Sequence, residues 1–129
     1  MKLISSRDNA TVKHLHALAT SARARRGSGE TLIDGAHLLG VALERGVQPK
    51  MVVVSESGRG QAEIAALLEA CSAFNCIELP DRLFAHVSPV DAPSGVLAVI
   101  TIPPPAPELS VTGSCVVLDG VQDPGNLGT

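Results

Sequence analysis

The sequence predicts an α/β protein, a three-layer α/β/α sandwich, and two observations carry that expectation. Apolar runs of strand length alternate with segments of helical periodicity, and one central run, Met51-Val52-Val53-Val54, is apolar at every position, as a strand covered on both faces must be. The length of 129 residues suits one compact domain with a fragment of another. In chain order, Val12, Leu15, Leu18, Ala19 and Ala22 recur at three- and four-residue spacing behind Asp8 or Asn9, which predicts an amphipathic helix over residues 9 to 24. Arg23-Ala24-Arg25-Arg26-Gly27-Ser28-Gly29 should end it, Gly27 taking the left-handed C-terminal conformation, and leave a basic cluster on an elbow. Thr31-Leu32-Ile33 reads as a strand. Asp34 is the expected cap of a second helix that carries Leu38, Leu39, Ala42 and Leu43 and stops at Arg45-Gly46.

After the strand at residues 51 to 54, a third helix spans residues 62 to 74 with Ile64, Ala65, Leu67, Leu68 and Cys71 inward. Cys76-Ile77-Glu78-Leu79 is the next strand, Pro80-Asp81 opens a short helix through Phe84 and His86, and residues 96 to 102 form the last long strand. Strands alternating with helices imply a mostly parallel sheet. Pro103-Pro104-Pro105-Ala106-Pro107 fits neither helix nor central strand and marks a stiff boundary. The expected organisation is a domain over residues 1–102, a linker over 103–113, and the start of a second domain over 114–129. Cys115-Val116-Val117-Leu118 with its turn-rich sequel reads as the beginning of an α/β domain cut short.

Composition excludes several classes. Hydrophobic residues make up 45% of the chain and charged residues 18%, the reverse of a disordered composition. No apolar run approaches the length of a membrane span, and residues 1 to 8 lack the apolar stretch of a secretory signal, so a cytoplasmic protein without a membrane partner is expected. Cys71, Cys76 and Cys115 form no paired motif, and His14-x-His16 would put its rings on different helix faces, so no metal is expected. The net charge of −3 hides a segregation. Residues 1 to 26 carry Lys2, Arg7, Lys13, Arg23, Arg25 and Arg26 against Asp8 alone, a net +5, whereas residues 27 to 129 carry four cations against twelve acids. Clustered cations suit phosphate contacts; an ordinary solvated helix face would read the same way. With two phenylalanines and no Trp or Tyr, the chain lacks the stacking platforms of common single-strand readers. Any RNA would be held through charge, hydrogen bonds and shape.

No phosphate-binding glycine loop is present, since Gly27-Ser28-Gly29 follows a helix and lacks its third glycine. Asp119 sits at a strand end like a phosphatase nucleophile, but the position two residues on is Val121, not an acid.

The stretch Val117-Leu118-Asp119-Gly120-Val121-Gln122-Asp123-Pro124-Gly125-Asn126-Leu127-Gly128-Thr129 is similar to the first motif of the SpoU, or TrmH-like, RNA ribose methyltransferases. Members of that family often carry a small N-terminal substrate-binding domain of ribosomal-protein-like fold, and its landmarks resemble Ile4-Ser5-Ser6 with Asn9 and Lys13, Arg25-Arg26 before Thr31-Leu32-Ile33-Asp34-Gly35, and Ser88 through Pro93 with Gly95 and Ala98. Asp34 stands where the family usually has glutamate, and Ser94 where glutamine is common. The resemblance implies an RNA-binding domain followed by the first strand of a knotted, S-adenosylmethionine-dependent 2′-O-methyltransferase domain. It makes Asn126 a catalytic residue and Arg7, Lys13, Arg23, Arg25 and Arg26 contacts to ribosomal or transfer RNA. It also implies a parent enzyme that dimerises through its knotted domain, while these 129 residues bind no cofactor and do not catalyse. A stand-alone RNA-binding module of ribosomal-protein-like fold is the alternative.

Overall fold

The computed structural model describes residues 1–103. The expected linker beyond Pro103, the strand at Cys115 and the motif holding Asn126 lie outside the described residues. Within them, five strands form one sheet in the order β1-β4-β3-β5-β2: β1 (Lys2–Leu3), β2 (Glu30–Asp34), β3 (Met51–Ser55), β4 (Cys76–Leu79) and β5 (Val96–Thr101). The helices are α1 (Ala10–Thr20), α2 (Ala22–Ser28), α3 (Ala36–Glu44), α4 (Ala62–Ala70) and α5 (Asp81–Val87).

The three layers follow from alternation along the strands. Val53, Ile77, Leu79, Leu97 and Val99 point to one face, where Val12, Leu15 and Leu18 of α1 and Leu83, Phe84 and Val87 of α5 cover them. Val52, Val54, Val96 and Ala98 point to the other, under Leu39 of α3 and Ile64 of α4. Leu15 and Phe84 are among the fully enclosed side chains, so truncating either to Ala costs about 2–5 kcal/mol. In α4 the sequence placed Ala65 inward; it is exposed, and the helix ends at Ala70, with Ile64 and Cys71 carrying the burial.

The expectation of a mostly parallel sheet needs correction. β1 and β3 flank β4 in parallel, but β5 runs antiparallel to both β3 and β2. The cause is the connection: the seven residues of α5 rise only about 10 Å, so the chain does not recross the sheet. It turns through residues 88–95 and re-enters at the edge where β3 ends, Ser55 donating its N–H to the Gly95 carbonyl. β1 escaped the sequence because it is two exposed residues long, held by pairing with Ile77 and Glu78.

The first helix is also not continuous. Asn9 caps α1, its side chain accepting from the Thr11 N–H at 2.8 Å, as one of the two expected candidates. Ser21 then leaves helical geometry (φ −130°, ψ 113°); its N–H closes α1 on Ala17 and its side chain accepts from the Ala24 N–H, starting α2. Gly27 is therefore inside a helix and is not its stop. Gly29 is the left-handed cap, at φ 69°. The Gly29 carbonyl in turn accepts the Ile102 N–H at 2.7 Å, tying the end of β5 to the end of α2.

Candidate nucleic-acid interface

The elbow expected to carry the basic residues is helix α2, and this changes what each arginine can do. Arg25, half-buried, donates from its Nη1 to the Leu18 carbonyl at 2.7 Å, bracing α2 against the end of α1. Arg23 and Arg26 are exposed, as is Lys13 on α1, and none of the three forms a hydrogen bond or ion pair among the described residues. Arg25 and Arg26 also occupy the last turn of α2, where cations complement the carbonyl end of a helix. Free, fully charged guanidinium groups on a capped helix are suited to phosphate oxygens, which they can engage with two donors at once.

Arg7 does not join them. It precedes α1, whereas α2 follows it, so the 11 residues of α1 separate them by roughly 16 Å of helix. Arg7 instead donates from Nη2 to His86 Nδ1 at 2.8 Å. Guanidinium only donates, so this Nδ1 carries the lone pair and His86 is neutral with its proton on Nε2. The His86 ring stacks on His16, centroids 4.1 Å apart and 6° from parallel. His16 completes the unit by donating its Nδ1–H to the His86 carbonyl at 3.0 Å. Partial burial, and then the Arg7 charge, hold the His86 imidazole below its usual range. None of this pairing was visible in sequence, although Arg82 and His86, four apart on one helix face, were a usable signal.

A second polar group lies at the edge where β2 and β3 end and β5 begins. Asp34 does not cap α3; Gly35 takes the cap position at φ 108° and makes no side-chain cap bond. The Asp34 carboxylate accepts from Ser94 Oγ at 3.0 Å and from Ser88 Oγ at 3.3 Å. The two positions that depart from the family pattern thus touch each other. Burial pushes the Asp34 carboxyl up, against the two hydroxyl bonds that pull it down. Among the described residues, no three His, Cys, Asp or Glu side chains converge into a metal-holding arrangement, and no helix is long and apolar enough to cross a membrane.

Comparison with known proteins places this geometry. The model of the MRM3-like substrate binding domain matches residues 9–98. Over 129 residues the chain is 30% identical to 23S rRNA (guanosine(2553)-2′-O)-methyltransferase RlmP of Bacillus subtilis, covering 100% of this chain and 48% of that protein. Its fold is similar to the crystal structure of an RNA 2′-O ribose methyltransferase, with a TM-score of 0.74 and 26% identity over 98% of this chain and 48% of that one. A TrmH-family protein from Porphyromonas gingivalis superposes with a TM-score of 0.64 at 31% identity, covering 93% of this chain and 45% of that one. The α/β domain with exposed arginines at one end thus matches a substrate-binding domain. The chain belongs to the MRM3-like substrate-binding domain family, found with SpoU-type RNA methyltransferases, and spans about half the length of the curated relatives it matches.

Proposed function

We propose that residues 1–102 are the RNA-recognition domain of a SpoU-type, S-adenosylmethionine-dependent ribose 2′-O-methyltransferase acting on ribosomal or transfer RNA. In this reading residues 103–113 are a stiff linker and 114–129 open the knotted catalytic domain, where Asn126 serves catalysis. The parent enzyme is cytoplasmic and dimerises through that domain. The observation that carries the reading is α2, a capped helix that presents Arg23 and Arg26 without partners among the described residues, in a domain whose relatives are named RNA methyltransferases. Lys13 and Arg7 extend the contact along α1.

S-adenosylmethionine supplies the methyl group in such enzymes, and the described residues do not fit it. A groove of about 430 Å³ between α3 and α4 is walled by Ala36, Gly40, Val41 and Leu67 and carries His37, Glu44 and Glu63. All of these lie within helices that consume most of their backbone donors and acceptors, so an adenine edge would meet only those three side chains. In this reading residues 1–129 bind RNA without catalysing methyl transfer.

Fluorescence anisotropy with a folded ribosomal-RNA fragment tests the reading. If roughly three to five phosphates are neutralised, the logarithm of affinity falls with the logarithm of salt at a slope of about −2 to −4. A salt-independent affinity, or none, would refute it. Saturable S-adenosylmethionine binding to the 129-residue chain in calorimetry would show that the cofactor site is misplaced.

A further inference from the structure

Beyond the α2 surface, the molecule holds a second cationic feature, of which the proposed function uses only Arg7. A cavity of about 490 Å³ opens between the segment after β1 and helix α5, lined by Ser5, Arg7, Pro80, Arg82, Leu83 and His86. No acid lines it. Its polar groups are two guanidinium groups, a hydroxyl and an imidazole fixed in one tautomer, and this set is dominated by donors. Arg7 spends one donor on His86, which leaves the rest of its fork available. Arg82 is exposed and forms no hydrogen bond or ion pair among the described residues. His86, with Nδ1 occupied by Arg7 and its ring clamped by His16, retains Nε2–H as its donor.

Such a set is costly to assemble without an anion. Two like charges share one concave wall, and a guanidinium donating to a neutral imidazole forgoes the stronger bond it would make to an oxyanion. A tetrahedral oxyanion satisfies all of these donors at once, from several directions. We infer that this cavity between the β1–α1 segment and α5 is a phosphate-binding site, and that it takes a backbone phosphodiester of the bound RNA. The assignment to RNA rests on the proposed function and on position. The cavity lies at the start of α1 and the free arginines of α2 lie past its end, with His16 of α1 stacked against the cavity wall between them. A nucleic-acid backbone running along α1 meets both. Arg7 is then the anchor of a separate phosphate, remote from the α2 cluster; Ser5, Arg82 and His86 complete its site, and His16 backs the His86 ring.

The test uses the full 129-residue chain and imidazole carbon–proton NMR spectra. Inorganic phosphate shifts the His86 and His16 ring signals saturably, chloride at matched ionic strength does not, and Arg82→Ala abolishes the shift. An RNA hairpin moves the same signals. Arg82→Ala weakens RNA binding about five- to tenfold and lowers the magnitude of the salt slope by about one, the loss of one phosphate contact; Arg82→Lys restores part of the slope. RNA that binds tightly while the His86 signals stay in place, with Arg82→Ala without effect, overturns the cavity assignment and leaves the proposed function standing. A chain that binds no RNA overturns the proposed function and the RNA assignment together. Ring signals unmoved by phosphate remove the anion site altogether.

Discussion

Gly58 and Gly95 meet backbone to backbone, so closely that a Cβ on Gly58 would stand 2.4 Å from the Gly95 carbonyl oxygen. The contact fixes the turn after β3 against the entry to β5, and Gly95 makes it possible by adopting φ +107°. Neither partner is a flexible side-chain end that could swing away. Gly58→Ala should therefore lower stability by about 1–3 kcal/mol, a fall in Tm of order 10 °C for a domain of this size. A thermal melt within 2–3 °C of the parent, about half a kcal/mol by the same conversion, would show that the backbone can yield here.

Asp34 gives a pH-dependent expectation of definite sign. Its carboxyl is pushed up by burial, so folding disfavours the charged form. The stability it contributes is present below its ordinary value of 3.8 and is lost as pH rises through the folded value. Asp34→Asn, uncharged at every pH, should equal or exceed the parent in Tm at neutral pH, by no more than a few degrees, with the gap closing in acid. Melts at several pH values decide it; a variant that is markedly less stable at pH 7 would mean that the charged hydrogen bonds outweigh desolvation.

Glu30 carries the opposite sign. Lys50 at 2.9 Å, and then His14 at 2.7 Å, hold its carboxyl below the ordinary value. Its contribution is present above that value and lost as pH falls through the folded one. Because both partners are about half exposed, the worth of the group is under about 1 kcal/mol and falls with salt. Glu30→Gln should lower Tm at neutral pH by a few degrees, and the difference should close as pH falls through the lowered folded value. Equal melts at pH 7 in low salt would discount the pair.

On α2 the two neighbouring arginines should separate in their effects. Arg26→Ala removes a cation that forms no hydrogen bond or ion pair among the described residues and should weaken RNA binding a few-fold, with only the small loss in Tm that follows from its place in the last turn of α2. Arg25→Ala also removes the bond to the Leu18 carbonyl and should cost about 1 kcal/mol of stability. Paired melting and anisotropy measurements check this; equal stability losses for both would mean that the brace carries no weight.

The sequence made legible what local chemistry determines. Asn9 as one of two cap candidates, the apolar run Met51–Val54 inside β3 and the strand at Cys76–Leu79 each follow from residues adjacent in the chain. The reversal of β5 was not legible, because direction depends on whether α5 is long enough to recross the sheet, and alternation alone assumes that it is. Apolar spacing persists through Ala22 and so predicts one continuous helix, while the break at Ser21 depends on one hydroxyl bond. Arg7 is legible as a cation, but its partner His86 lies 79 residues away and no periodicity connects them. Asp34 reads as a local cap because the hydroxyls that bind it come from 54 and 60 residues further along the chain.

The bond from Ile102 to the Gly29 carbonyl has a mechanical consequence. The last strand of the sheet and the basic helix share one anchoring point, so they form a single lever arm. A force applied at α2, as when a ligand pulls on Arg23 or Arg26, is transmitted to the end of β5. Conversely, tension at Ile102 loads the left-handed cap of α2 first. Engagement of a ligand at α2 and the position of the end of β5 are thereby geared to each other through one glycine.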